Sequence, residues 1–220
     1  MKIGIDMGHS LSGFGTGASG KVKEVDYNRR LGNRLIEMLR AKGHTVVNCT
    51  VDSASSSNNQ LSGIVQKANA QHIDLFVSIH LNAFNGQAYG TETYTYSTSS
   101  AKEKARIIND KVAASCGFTN RGLKTADYYV LRNTVAPACL VEVCFCDNQG
   151  DVDKWNTEKI AMAMFEGITG EKFECNDPDQ DEKIFFRVIA GSYSNRENAE
   201  NMVKKLKGLG IDAFIDIYKK

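Results

Sequence analysis

Neither sign of charge prevails in this chain of 220 residues, whose formal net charge is +1. A strongly basic surface for nucleic acid is therefore not expected. No run is long and apolar enough to span a bilayer, so membrane insertion is not expected either. The opening MKIGIDMGH reads as a short strand without the apolar core of a signal peptide behind it. The expectation is synthesis in the cytoplasm without export by the ordinary route. The six cysteines include no C-x-x-C pair, which favours reduced thiols over a disulfide framework or a thiolate metal site. Cys139, Cys144 and Cys146 surround Glu142 in sequence, but buried apolar cysteine is common and accounts for them. The glycine-rich run GFGTGASG fits neither G-x-G-x-x-G nor a phosphate loop, since Gly20-Lys21 is followed by Val22. Nucleotide binding is not expected there.

What is present suffices for a sizeable core, with 42% hydrophobic residues, and the length suggests one domain and a smaller appendage. Lys2–Asp6 reads as a strand, and residues 24–42 as a helix with Tyr27, Leu31, Leu35, Met38 and Leu39 on one face. Gly43 supplies its stop. Further strands are expected at Thr45–Val51, Asp74–His80, Thr91–Ser97 and Ala138–Phe145. Further helices are expected at Asn59–Gln71, Ala101–Ser115 and Asp153–Gly170. Thr91–Ser97 alternates threonine and tyrosine like a strand with one wet face. Strands alternating with helices indicate an α/β domain with a mainly parallel central sheet flanked by helices. In such sheets functional groups gather at the carboxyl ends of strands, where His9 and His80 fall.

Two histidines and a carboxylate can hold a zinc ion and leave a fourth position for water, and a second carboxylate nearby can act as the base. His9 in GIDMGHS, His80 in VSIHLNA, Glu24 after the glycine loop and Glu142 in LVEVCF supply those groups. His44 and His72, at helix ends, read as ordinary polar termini. The glycine run reads as a flexible loop that carries Glu24 towards His9. Spacing alone leaves open whether these residues are ligands or structural.

GIDMGHS, Glu24, SIHLNA and RGLKTADYYVLRNTVAPACLVEVCF together resemble the zinc-dependent N-acetylmuramoyl-L-alanine amidases over residues 1–170. That resemblance implies a Zn²⁺ cofactor on His9, Glu24 and His80, and Glu142 as the catalytic carboxylate. It also implies a peptidoglycan substrate, cut between N-acetylmuramic acid and the L-alanine of the stem peptide. Two positions depart from the family pattern: Cys144 stands where glycine is usual, and Ala136 where a bulkier residue is usual. Asn82, Arg121 and Lys124 are further candidates for substrate contact. Two other classes remain open: a zinc peptidase acting within the stem peptide, and a wall-binding protein without catalysis.

Residues 171–182 read as an acidic linker containing Pro178. Residues 183–220 read as a small β-α-β module. Its strands are Ile184–Ala190 and Ile211–Tyr218. Its helix is capped by Ser194 and Glu197 and buries Ala199, Met202, Val203 and Leu206. The module resembles one half of a SPOR-type peptidoglycan-binding domain. A lone half leaves apolar strand edges unpaired, so a homodimer through this module is expected, with Phe214 and Tyr218 either in the interface or on glycan. Lacking an export signal, such an enzyme would act on the wall after release, as a phage endolysin or a mother-cell autolysin.

Overall fold

The computed structural model describes residues 1–173, 191–211 and 213–215. The chain divides into two compact units, Met1–Glu174 and Cys175–Lys220. In the first, strands β1 (Lys2–Met7), β3 (Thr45–Asn48), β5 (Leu75–Asn82), β6 (Thr91–Thr95), β7 (Asn120–Thr125) and β8 (Ala138–Phe145) form one sheet in the order β3-β1-β5-β8-β6-β7. Only the β6–β8 pairing is antiparallel, so the sheet is mainly parallel. Two short strands, β2 (Ser12–Gly13) and β4 (Ser53–Ala54), pair separately and tie down the glycine loop.

Period-two alternation sorts the strand residues onto two faces. One face carries Ile3, Ile5, Val77, Ile79, Leu81, Val141 and Val143 into the larger core cluster. The helices over it are α1 (Glu24–Ala41), α3 (Lys102–Cys116) and α6 (Thr157–Thr169). The other face carries Phe76, Ala138 and Leu140 into a smaller cluster under α2 (Ser57–Asn69) and α4 (Tyr129–Asn133). On that second face the strand residues beyond Phe76 and Leu140 become polar: Ser78 and His80 on β5, Glu142 on β8. The smaller apolar cluster therefore gives way, along the strands, to the functional groups.

The element ends follow local chemistry. Ser56 caps α2 by accepting from Asn59 N at 3.1 Å, so the helix starts at Ser57, earlier than expected. The helix expected over Asp153–Gly170 is two: α5 (Gln149–Lys154), then α6, restarted by Asn156, which accepts from Lys159 N at 3.0 Å. β3 stops at Asn48, short of Val51, and Gly43 has the left-handed backbone that ends α1. The edge strand β7 and the five-residue α4 escape sequence periodicity. The threonine side of β6 is dry, with Thr91, Thr93 and Thr95 fully buried and the Thr93 hydroxyl donating to Asn109 Oδ1 on α3 at 3.0 Å, while Tyr94 on the other side is half-buried. A polar helix residue there satisfies the hydroxyl, so threonine replaces aliphatics on a covered face. Among the described residues no helix is long and apolar enough to cross a membrane.

In the second unit, α7 (Arg196–Gly208) is capped by Asn195, which accepts from Glu197 N at 2.8 Å; the cap is one residue later than Ser194. Ala199, Met202, Val203 and Leu206 are its half-buried positions, the face expected from their spacing. The strand expected at Ile184–Ala190 lies outside the described residues, as does much of that at Ile211–Tyr218. At the junction, Phe173 packs edge-on against Phe165 with ring centroids 5.1 Å apart, so the first residues of the acidic segment belong to the first unit's surface.

Asp151 fastens the site end of the sheet. It is 1% exposed, and its Oδ2 accepts from Gly90 N at 2.8 Å and Phe145 N at 3.0 Å. Asp151→Ala leaves two buried amides without an acceptor and is expected to cost about 2–4 kcal/mol. Asp151→Asn keeps an acceptor and is expected to recover most of that. Urea unfolding followed by the fluorescence of Trp155, the chain's one tryptophan, reads the loss. A change below about 0.5 kcal/mol in Asp151→Ala would remove Asp151 from this role.

Candidate metal centre and its carboxylates

β1 ends at Met7, and the chain continues Gly8-His9 beside β5, with Gly8 N donating to Ile79 O at 2.9 Å. His9 adopts φ 72°, the left-handed region that a non-glycine residue enters at a cost of about 1–3 kcal/mol. Arg29 on α1 holds it there, donating to the carbonyls of Met7, Gly8 and His9 and to Asp52 Oδ1 at 2.8 Å. The His9 Nδ1–H donates to Gly15 O at 3.1 Å, since a carbonyl can only accept. That leaves Nε2 as the lone-pair nitrogen, turned towards Glu24. Metal-ligating histidines typically fix their tautomer in this way.

Glu24 opens α1 and is 3% exposed. Its Oε1 lies 3.0 Å from His9 Nε2 and 3.0 Å from His80 Nδ1. Leu81 N donates to the same oxygen at 3.1 Å, and Ala18 N to Oε2 at 2.9 Å. The two imidazoles meet edge to face, centroids 4.7 Å apart. One ligand atom from each of His9, Glu24 and His80 falls within 4.8 Å of the others. Burial pushes Glu24 up, but His80 and His9 beside it outweigh burial and hold it well below the usual carboxylate range. Burial lowers His80, while its bond to Glu24 and the charges of Glu142, Glu24 and Asp6 raise it to about 9. Two nitrogen donors and a carboxylate oxygen, with one tautomer fixed and the carboxylate anchored by a backbone amide on each oxygen, fit a divalent metal of the zinc type.

Close approach explains two glycines. A Cβ on Gly8 would stand 2.3 Å from the His80 ring. A Cβ on Gly17, whose φ is 79°, would stand 2.8 Å from the His9 ring and 2.9 Å from Glu24 Oε2. The loop is therefore close-packed around the ligands rather than simply flexible.

Glu142 sits mid-strand on β8, beside His80 in the parallel β5–β8 register. Its Oε2 is buried and has no hydrogen-bond partner among the described residues. Burial pushes it up to about 7; His80 opposes this, and the charges of Glu24 and Glu92 add to it. The other candidates from the sequence do not gather at the cage. Asn82, Arg121 and Lys124 all turn to one carboxylate that sequence reasoning missed, Glu92 on β6. Asn82 Nδ2 donates to its Oε1 at 2.8 Å, Arg121 Nε to its Oε2 at 2.6 Å, and Lys124 Nζ also to Oε2. Arg29 was missed as well; its lone signal is a basic residue on the helix that opens with Glu24. Among the described residues no thiol joins these groups: Cys144 is buried in the larger core cluster, and burial raises it well above the usual thiol range.

Comparison with known proteins supports a shared fold. Residues 3–170 match the family model described as N-acetylmuramoyl-L-alanine amidase, and residues 182–220 match the model described as SPOR domain. The chain is 28% identical to the N-acetylmuramoyl-L-alanine amidase CwlM of Bacillus licheniformis, over all of this chain and 85% of that protein. It is 27% identical to the sporulation-specific N-acetylmuramoyl-L-alanine amidase of Bacillus subtilis, over 98% of this chain and 84% of that one. Among solved structures, the catalytic domain of the CD27L endolysin targeting Clostridia difficile superposes with a TM-score of 0.72 at 35% identity, covering 79% of this chain and 99% of that one.

Gly17→Ala puts a methyl group into the His9–Glu24 contact and onto a left-handed backbone. Its affinity for zinc is expected to fall about 10–100-fold, the range for disturbing a ligand's supporting shell. Titration of the metal-free protein with zinc, by calorimetry, measures it; unchanged affinity would separate the loop from the cage.

Proposed function

The chain belongs to the N-acetylmuramoyl-L-alanine amidase family, enzymes that hydrolyse the amide between N-acetylmuramic acid and L-alanine in peptidoglycan, and we propose that His9, Glu24 and His80 serve it as zinc ligands and Glu142 as its proton carrier. The observation that carries this reading is a buried carboxylate, Glu142, left unpartnered beside three converging ligand atoms. A zinc ion in that cage would supply Lewis acidity, polarising the amide carbonyl and acidifying a water. Glu142 takes the proton of the attacking water as the carbon–oxygen bond forms. As the carbon–nitrogen bond breaks, it hands that proton to the departing amine of L-alanine. Burial suits it to both halves, because a carboxylate raised towards neutrality is a stronger base and, once protonated, a usable acid. The His9 and His80 rings need their lone pairs free for the metal, and the Gly15 carbonyl arranges that for His9.

Glu142→Gln keeps size and removes the proton acceptor. Hydrolysis is expected to drop by about 10²–10⁴-fold with zinc uptake retained. Chelation of the parent protein is expected to abolish turnover and added zinc to restore it. Digested wall then identifies the bond: new amino groups on L-alanine without new reducing sugars. Amino groups on other stem residues would instead indicate a peptidase, and no release at all a binding protein. Retained hydrolysis in Glu142→Gln would overturn the role given to Glu142.

The C-terminal unit supplies wall binding in this reading, in line with its match to the SPOR model over residues 182–220. Among its described residues that stretch offers one helix, and the half-buried face of Ala199, Met202, Val203 and Leu206 suits a module completed by a second copy. Sedimentation at micromolar concentration is expected to give twice the 24.2 kDa chain mass. A monomer there would leave the tail to act alone.

A further inference from the structure

Glu92 and Glu142 stand directly opposite one another on the antiparallel strands β6 and β8. Opposed residues in such a pair have Cβ atoms about 4.5–5.5 Å apart, and like charges there repel. Two cations lie in the same neighbourhood on β7, Arg121 and Lys124, and β7 pairs with β6. A cation this close to two buried carboxylates could neutralise either. Both choose Glu92, Arg121 at 2.6 Å and Lys124 on the same oxygen. Neutral donors complete the shell: the Tyr94 hydroxyl donates to Glu92 Oε1 at 2.7 Å, and Asn82 Nδ2 does so at 2.8 Å. The aromatic surroundings help to hold the cations where they are. The Arg121 guanidinium lies 5.1 Å from the Phe145 ring centre, and Lys124 Nζ lies 5.9 Å from that of Tyr94. Glu92 is thus four times satisfied, while the carboxylate facing it across the ladder keeps an oxygen with no partner among the described residues.

We propose that Glu92 is a positioning residue that captures Arg121 and Lys124, so that neither cation pairs with Glu142 and the proton carrier stays free. The proposal rests on the reading of Glu142 given above. A Glu142 locked to a guanidinium or ammonium would be held ionised, with its lone pairs engaged, and would be a poor acceptor for the proton of water. Arg121 and Lys124 keep 34% and 38% of their side-chain surface exposed, whereas Glu92 is buried. Glu92 is therefore the group whose charge must be compensated, and it draws both cations to itself.

The test uses the full chain loaded with zinc and a soluble muramoyl-peptide fragment as substrate. Glu92→Gln releases both cations without changing side-chain size. Its kcat is expected to fall about 10–100-fold, with KM within about threefold and zinc content unchanged, a partial loss of general-base function. The triple variant Glu92→Gln/Arg121→Gln/Lys124→Gln removes the freed cations and is expected to regain at least about tenfold in kcat over the single variant. A purely structural role for Glu92 predicts no such rescue. Unaltered kcat in Glu92→Gln, or a triple variant as slow as the single, overturns the proposal. Should circular dichroism show the single variant unfolded, Glu92→Gln/Lys124→Gln, which retains Arg121, is compared with the triple variant. A faster triple supports capture, and an equal or slower one overturns it. Glu142→Gln is measured alongside. Its retained activity would sink the reading of Glu142 itself, whereas its inactivity beside a normal Glu92→Gln sinks only the capture by Glu92.

Discussion

One carboxylate holds the catalytic unit's working end together. Glu24 is nearly inaccessible to water; it accepts from Leu81 N and Ala18 N, and its Oε1 stands 3.0 Å from a ring nitrogen of each of His9 and His80. Those four neighbours come from the end of β1, the end of β5 and the loop between β1 and α1. Burying a glutamate without them would be prohibitive, and with them it stays ionised. The requirement propagates outwards. The loop must return the chain so that the first residue of α1 faces His9, which demands glycine where the ring and the carboxylate crowd the backbone. His9 must enter a left-handed conformation, and Arg29, a little over one turn further along α1, pins its carbonyl. The helix that supplies the ligand therefore also supplies the clamp on its partner.

The sheet solves the remaining problem, which is to bring residues 80, 92 and 142 to one place. Because side chains alternate, a strand can be apolar towards α1, α3 and α6 and polar on its reverse over only a few residues. β5 does this with Val77, Ile79 and Leu81 against Ser78, His80 and Asn82; β8 does it with Val141 and Val143 against Glu142. Between His80 and Asn82 the β5–β8 register shifts by one residue, so that Asn82 pairs with Phe145. The irregularity falls immediately beyond His80 and Glu142, where strands commonly diverge around a site.

The parts legible in the sequence were those with strong local signals. The long amphipathic pattern of Tyr27, Leu31, Leu35, Met38 and Leu39 announces α1, and Gly43 its end. The alternation around His80 and the apolar run around Glu142 announce β5 and β8. Glu92 was illegible for a different reason. Its partners Arg121 and Lys124 are 29 and 32 residues away, on a strand whose RGLK core has no period-two apolar signal. Without β7 the two cations looked free to meet substrate, and β6 read as a strand with one wet face of unstated side. Asn109, a single polar residue on the buried side of α3, makes the threonine side the dry one, which only tertiary contact reveals. Asn195 in place of Ser194 is a smaller case: both can cap a helix, and the choice lies in one residue of backbone geometry.

Two carboxylates facing each other across a ladder would ordinarily be a fault, since each raises the other's cost of ionisation. Here the fault is resolved asymmetrically. Burial pushes Glu92 up, but Arg121, Lys124 and Tyr94 more than offset it and hold the group below the usual range. Burial pushes Glu142 the same way, and there the charge of Glu92 adds to the push instead of relieving it. The same strand pairing thus sets a fully partnered carboxylate opposite one that keeps an oxygen without a partner among the described residues. The difference lies in which of them β7 can reach. An edge strand that contributes little to the core decides the chemistry of a residue on the strand beyond its neighbour.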